Sequence, residues 1–153
     1  MEDRLWFPLF VDLSDRTVLV VGGGPIAARR VKTLLPFAGR VVVAAPECVD
    51  ELAALAAEGK IEHRPRRFEA SDLDGAAIVL CATGDAAADG EVRTLCTERG
   101  IPANIASDKD QCDFYFPGVA RKGPLVAGVT AGGTDHKKAR ELTEKIRELL
   151  NNE

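Results

Sequence analysis

Gly22-Gly23-Gly24-Pro25-Ile26-Ala27 follows an apolar run and matches G-x-G-x-x-A. At a strand-to-helix turn, the first glycine of such a run permits the bend and the second lets a pyrophosphate approach the backbone. The small last residue lets helix and strand pack closely. Unpaired N–H groups at the helix N-terminus then face the phosphates. The chemistry expected here is dinucleotide binding, with NAD as cofactor; a tight turn without a ligand is the plainer alternative. An acid for the adenosine ribose belongs about twenty residues further on. That place reads "VVVAAPE", and its first acid is Glu47. Either Glu47 or the backbone near Pro46 holds the ribose, or the site is lax between NAD and NADP.

Hydride chemistry also needs a group that takes a proton. Asp108 is the best-placed acid, although a loop aspartate followed by Lys109 and Asp110 also suits a turn cap. His136 offers an imidazole for proton transfer, but a surface histidine is the first reading of it. His63, in "IEHRPRR", reads as structural or exposed. Gly132-Gly133-Thr134, just before a charged helix, offers bare N–H groups to a substrate anion, and Thr134 doubles as a helix cap. Around these, Lys109, Arg121, Lys122, Lys137, Lys138 and Arg140 supply positive charge near presumed strand ends, as anion ligands or as a solvated face. Arg29 and Arg30 read as solvated. Cys48, Cys81, Cys96 and Cys112 have neither C-x-x-C pairing nor histidine at zinc spacing, so no metal site is expected, and Cys81 and Cys96 fall on apolar phases as buried thiols.

The elements that must carry these residues alternate. Strands are predicted over Thr17–Gly22, Arg40–Pro46, Lys60–Pro65, Ala76–Gly84 and Ile101–Ser107. Helices are predicted over Ile26–Phe37, Val49–Ala57 and Ala87–Arg99. Parallel neighbours cannot be joined by hairpins, so this alternation gives an α/β, Rossmann-like parallel sheet. After Ser107 the pattern changes. Phe114–Phe116 and Leu125–Val129, linked by the turn-rich "PGVARKG", are expected to pair as an appended antiparallel strand pair. A C-terminal helix follows, with an apolar stripe of Ala139, Leu142, Ile146 and Leu149 that packs on a sheet or forms a dimer contact. Residues 1–107 thus read as an NAD-binding domain, and 108–153 as the start of a dimerisation or substrate region.

Bulk properties narrow the class. The chain has 153 residues, 46% of them apolar, and a net charge of −4. An acidic chain without a concentrated basic face argues against nucleic acid. No run reaches membrane-spanning length, and "MEDRLWFPLF" lacks the basic start of a signal peptide, so no membrane association and a cytoplasmic setting are expected.

The motifs "FPLFVDLSDRTVLVVGGGPIAARRVKTLL", "VVVAAPE", "VLCATGD", "IPANIASD", "FYFPG" and "VTAGGT", in this order, resemble the precorrin-2 dehydrogenases. These form the NAD-dependent module of siroheme synthases and of bifunctional dehydrogenase–ferrochelatases. The resemblance covers nearly the whole chain. It implies oxidation of the tetrapyrrole precorrin-2 to sirohydrochlorin with hydride passing to NAD, in some members followed by ferrous iron insertion. It also implies cofactor contacts at Gly22, Gly24, Pro25, Ile26, Pro46, Glu47 and Thr83. A homodimer is expected besides, because a lone domain of 153 residues offers little surface to enclose a flat tetrapyrrole.

The family places an aspartate after the fifth strand, within Asn-x-x-Asp, as general base or metal-handling group. From Asn104 this chain reads "NIASD", so Ser107 holds that position and Asp108 follows. Thr130-Ala131 and Asp135-His136 replace the family's serine pairs and Ser-Pro. The family continues past the last helix with a further helical segment. Two other classes stay open: an NAD-sensing regulatory module without chemistry, and a tetrapyrrole chelatase or carrier without dehydrogenase activity.

Overall fold

The computed structural model describes residues 4–153. It divides into two compact units, Val11–Phe114 and a second in which residues 4–10 join Tyr115–Glu153.

The first unit is built on short apolar strands. They are β1 (Thr17–Val21), β2 (Arg40–Ala44), β3 (Glu62–Arg64), β4 (Ala76–Cys81) and β5 (Ala103–Ile105). All five pair in parallel, in the order β3-β2-β1-β4-β5. Crossover helices α1 (Pro25–Leu34), α2 (Asp50–Ala57) and α3 (Ala86–Arg99) connect them, with a 3-10 turn at Ala70–Leu73 before β4. Such strands are covered on both faces, which is why β1 and β2 read as unbroken runs of valine and leucine. One face sets Leu19, Val21, Val42, Ala44, Val79 and Cys81 against Val92 and Cys96 of α3. The alternate residues Val18, Val20, Val41 and Val43 are buried on the other face, and α1 buries Ala27, Ala28, Val31 and Leu34. The expected Rossmann-like sheet is therefore present.

From β1 the chain builds outward to β2 and β3, then returns to lay β4 on the other side of β1. That reversal opens a crevice beyond the carboxyl ends of β1 and β4, where open α/β sheets bind ligands.

In the second unit, β6 (Gly118–Lys122) pairs antiparallel with β7 (Leu125–Val129), and α4 (His136–Asn151) packs on them. The antiparallel pair was expected, but its first strand is displaced. Phe114–Phe116 are irregular, and the segment read as a link supplies the strand instead. The reason is a tighter turn. Lys122 pairs with Leu125, so only Gly123-Pro124 remain in the loop. Gly123 takes φ +57°, and proline fixes a negative φ after it, the pattern of a type II′ hairpin turn.

The stripe on α4 is also shifted. Thr143 is the residue it buries, against Gly118, where an added Cβ would lie 2.5 Å from the threonine hydroxyl. Leu142 and Leu149 are exposed. Lys122 Nζ donates to the carbonyls of Leu150 and Glu153 at 2.7 and 2.9 Å, placing a cation on the C-terminus of α4. Near the N-terminus, Trp6 meets Tyr115 edge-on at 4.3 Å between centroids, with the Arg4 guanidinium 5.1 Å from the indole ring.

Candidate functional site

The three glycines do three different things. Gly22 sits at φ +121°, and a Cβ there would come within 2.3 Å of the Ala82 carbonyl oxygen, so this residue lets the β1 loop lie against the β4 loop. A Cβ on Gly23 would strike the Glu47 carbonyl oxygen at 2.1 Å, so it seats the same loop against the one after β2. Gly24 is in extended backbone, and a Cβ there would meet nothing within 4 Å. Two glycines close the protein's own packing and the other borders open space. A side chain on Gly24 would project into that space rather than into the protein.

Gly24 is also the N-cap of α1, and no side chain caps this helix. Pro25 occupies the first helical position, and Ile26 is 44% exposed beside it. An uncapped N-terminus facing open space at the sheet's switch point suits a pyrophosphate. Ala27 is fully buried, as close helix–strand packing requires. Glu47 follows β2 and is exposed, with Pro46 before it. Cys48 Sγ lies 3.3 Å from His63 Nε2, which also contacts the Ala45 carbonyl at 2.8 Å. His63 is thus half-buried and structural.

Thr83, after β4, is tied down by its neighbours. Its hydroxyl donates to Asp89 of α3 and accepts from the Asp85 N–H at 3.1 Å. Asp85 itself caps α3, accepting from the N–H groups of Ala87 and Ala88. The same Asp89 carboxylate accepts from Cys81 Sγ at 3.1 Å and from Ser107 Oγ at 2.9 Å. Burial pushes the Asp89 carboxyl up, but hydrogen bonds from Thr83, Cys81 and Ser107 outweigh it and hold the group below its ordinary value. The Cys81 thiol is pushed well above its ordinary value by burial and by its bond to Asp89.

Beyond β5 the strand period breaks at once. Ala106 and Ser107 form a turn closed by Asp108 N–H on the Ile105 carbonyl at 3.1 Å. Ser107 is exposed and aims its hydroxyl at Asp89. The Asp108 carboxylate accepts from the Asp110 N–H and from Gln111 Nε2, each at 3.0 Å, capping the 3-10 turn Lys109–Gln111. Asn104 donates Nδ2 to the Phe114 carbonyl at 2.9 Å and accepts from Arg30 Nη1 at 2.6 Å. Arg30 is therefore a half-buried tie between α1 and β5 rather than the solvated residue its sequence position suggested.

The remaining candidates belong to the second unit. Gly132 and Gly133 both take left-handed φ values, +67° and +78°, and lead into α4. The cap of α4 is Asp135, which accepts from the Lys138 N–H at 2.9 Å. Thr134, expected as that cap, turns its hydroxyl back to the Ala131 carbonyl at 2.7 Å. His136 is the first residue of α4 and is exposed. Among the described residues, no three His, Cys, Asp or Glu side chains gather as a metal site.

Asp89 is the residue that reading the sequence missed. A signal existed: Asp89, Val92 and Cys96 share the buried face of α3, so an acid stands in phase with core positions.

Residues 9–118 match a family described as "Putative NAD(P)-binding". The siroheme synthase of Thioalkalivibrio sulfidiphilus is 41% identical over 145 residues, covering 95% of this chain and 30% of its own length. That of Methylobacillus flagellatus is 40% identical over 143 residues, covering 94% of this chain and 31% of the relative. The chain thus spans under a third of these relatives. Among solved structures, the precorrin-2 dehydrogenase SirC superposes with a TM-score of 0.73 at 28% identity, covering 96% of this chain and 70% of that one. A Rossmann-like sheet, a bare helix N-terminus after the glycines at its switch point and a family match over residues 9–118 agree: the chain belongs to this NAD(P)-binding family.

Proposed function

We propose that this chain is an NAD-dependent dehydrogenase that oxidises precorrin-2 to sirohydrochlorin in siroheme synthesis. The observation that carries this is the bare α1 N-terminus at Gly24, open to space, in a chain of which 95% aligns with under a third of a siroheme synthase and 96% with 70% of SirC. When bound, NAD supplies a hydride acceptor. The chain's part is to hold it: Gly22, Gly24, Pro25 and Ile26 at the pyrophosphate, Pro46 and Glu47 at the ribose, and Thr83 beyond β4. Glu47 favours NAD, because an acid there accepts from ribose hydroxyls and repels a 2′-phosphate.

Val11–Phe114 is the cofactor half on this reading. The second unit serves substrate binding and dimer formation, with the Gly132-Gly133-Thr134 backbone and His136 facing substrate carboxylates. Support for a homodimer comes from apolar side chains left in solvent: Leu5, Phe7, Leu9 and Phe10 before β1, and Leu142 and Leu149 on α4. The described cysteines are all free thiols, which fits a reducing cytoplasmic setting. Of the residues after β5, we assign Ser107 to the reacting substrate and Asp108 to the turn.

Anaerobic incubation with precorrin-2 and NAD tests the reading. Sirohydrochlorin and NADH should appear together in equal amounts. Cofactor binding without product would leave a sensing module instead. Sedimentation at micromolar concentration tests the dimer, and a strictly monomeric mass would reject it.

A further inference from the structure

Asp89 is 4% exposed, yet the side chains that donate to it, Thr83, Cys81 and Ser107, are all neutral. A buried carboxylate held only by neutral donors costs stability that an apolar residue in the same place would not. Its partners are not scattered. Cys81 and Thr83 lie at the carboxyl end of β4 and Ser107 just beyond that of β5, the edge of the sheet where ligands bind. The serine is exposed while the carboxylate behind it is buried. The Ser107 hydroxyl therefore links the open face of the sheet to a hidden charge.

We propose that Asp89, acting through the Ser107 hydroxyl, takes up the proton released when substrate is oxidised. Ser107 touches the substrate, and Asp89 is a positioning residue that orients and charges it. This rests on the dehydrogenase reading above. Precorrin-2 loses a hydride, with both electrons of a C–H bond, to NAD, and loses one proton. That proton bonds to Ser107 Oγ as the serine's own proton passes along the 2.9 Å hydrogen bond to Asp89 Oδ2. The carboxylate becomes a neutral acid, and solvent later removes its proton back through Ser107. Hydrogen bonds that hold the Asp89 carboxyl below its ordinary value keep it ionised, ready to accept, across the neutral range.

Asp89→Asn, Ser107→Ala and the exchange Asp89→Asn/Ser107→Asp test this. Oxygen and carboxylate are adjacent, so the exchange moves the charge by one hydrogen bond while keeping a polar partner at each site. Measured together are far-UV circular dichroism, NAD affinity by calorimetry, and the pH profile of kcat for precorrin-2. Asp89→Asn and Ser107→Ala should each lower kcat by about 10²-fold or more, as for a lost general base, with NAD affinity unchanged. The exchange should regain at least about tenfold over Asp89→Asn, and the acid limb of the kcat profile should disappear in Asp89→Asn alone. Wild-type protein that makes no sirohydrochlorin would sink the dehydrogenase reading, and this inference with it. Wild-type turnover with undiminished Asp89→Asn, or an exchange variant no better than Asp89→Asn, overturns the inference alone. Should Asp89→Asn not fold, Ser107→Ala decides, because that side chain is exposed: full activity overturns the proposal, and a loss supports it.

Discussion

Arg64, the last residue of β3, donates Nη1 to Oδ1 of Asp72 at 2.7 Å and so ties the edge strand to the turn before β4. Arg66 grips the same carboxylate with both terminal nitrogens, at 2.8 and 2.9 Å, and the Glu69 N–H adds a further bond at 2.8 Å. Burial raises the Asp72 carboxyl, but the bonds from Arg66, Glu69 and Arg64 prevail and hold it well below the usual carboxylate range. A carboxyl lowered by folding stabilises the fold above its unfolded pKa, and loses that contribution as pH falls towards its folded value. Urea stability should thus decline below about pH 4. In Asp72→Ala it should already be about 2 kcal/mol lower at neutral pH and depend less on acid, the arginines keeping partial access to water. An acid profile identical to wild type would remove Asp72 from this role.

The glycine loop predicts a contrast between two neighbours. Gly24→Val should abolish NAD binding and cost no more than about 1 kcal/mol, since the position is extended, opens to space and loses only a glycine cap. Gly22→Val should unfold or strongly destabilise the protein, because strain at φ +121° of roughly 1–3 kcal/mol adds to a collision with Ala82. Calorimetry with NAD and thermal melts separate the two. Equal loss of stability in both variants would mean that Gly24 also serves packing.

Much of this was legible in the sequence because parallel β/α units write strong periodic signals. Uninterrupted apolar runs mark β1 and β2, and the glycines fall where strand gives way to helix. What escaped depended on contacts distant in sequence. Nothing local to Gly118–Lys122 reveals that "GVARK" pairs rather than turns; that follows from the two-residue Gly123-Pro124 loop and from Thr143 packing on Gly118. Arg30 looks like any helix-surface arginine until Asn104, 74 residues later, appears beside it. Asp108 was conspicuous as an acid, whereas Asp89 lay hidden in an alanine-rich helix with partners on two strand ends. Local patterns locate elements, but they do not say which polar groups meet between them.

Cysteine reactivity gives a third test. Cys81, Cys96 and Cys112 are buried, and Cys48 is half-buried beside the glycine loop, where a Cβ on Gly23 would lie 3.0 Å from its sulfur. Burial raises the Cys48 thiol as well, so labelling should be slow, with Cys48 modified first and the other three only on unfolding. Saturating NAD should slow the Cys48 reaction. Mass spectrometry after timed alkylation measures both, and unchanged labelling with NAD would place the cofactor away from this loop.

The last test concerns Asp108, the acid most exposed to suspicion as a general base. Its two oxygens accept from the Asp110 N–H and the Gln111 side chain, so the carboxylate closes the turn that leads away from β5. Removing a cap of this kind costs about 1 kcal/mol. Asp108→Ala should therefore lower urea stability by that amount and leave precorrin-2 turnover within about threefold of wild type, far short of the 10²–10⁴ lost with a general base. Asp108→Asn should recover most of the stability, because an amide oxygen still accepts from Asp110. If instead Asp108→Ala loses turnover while its stability holds, the proton leaves by Asp108. Ser107 and Asp89 would then be structural.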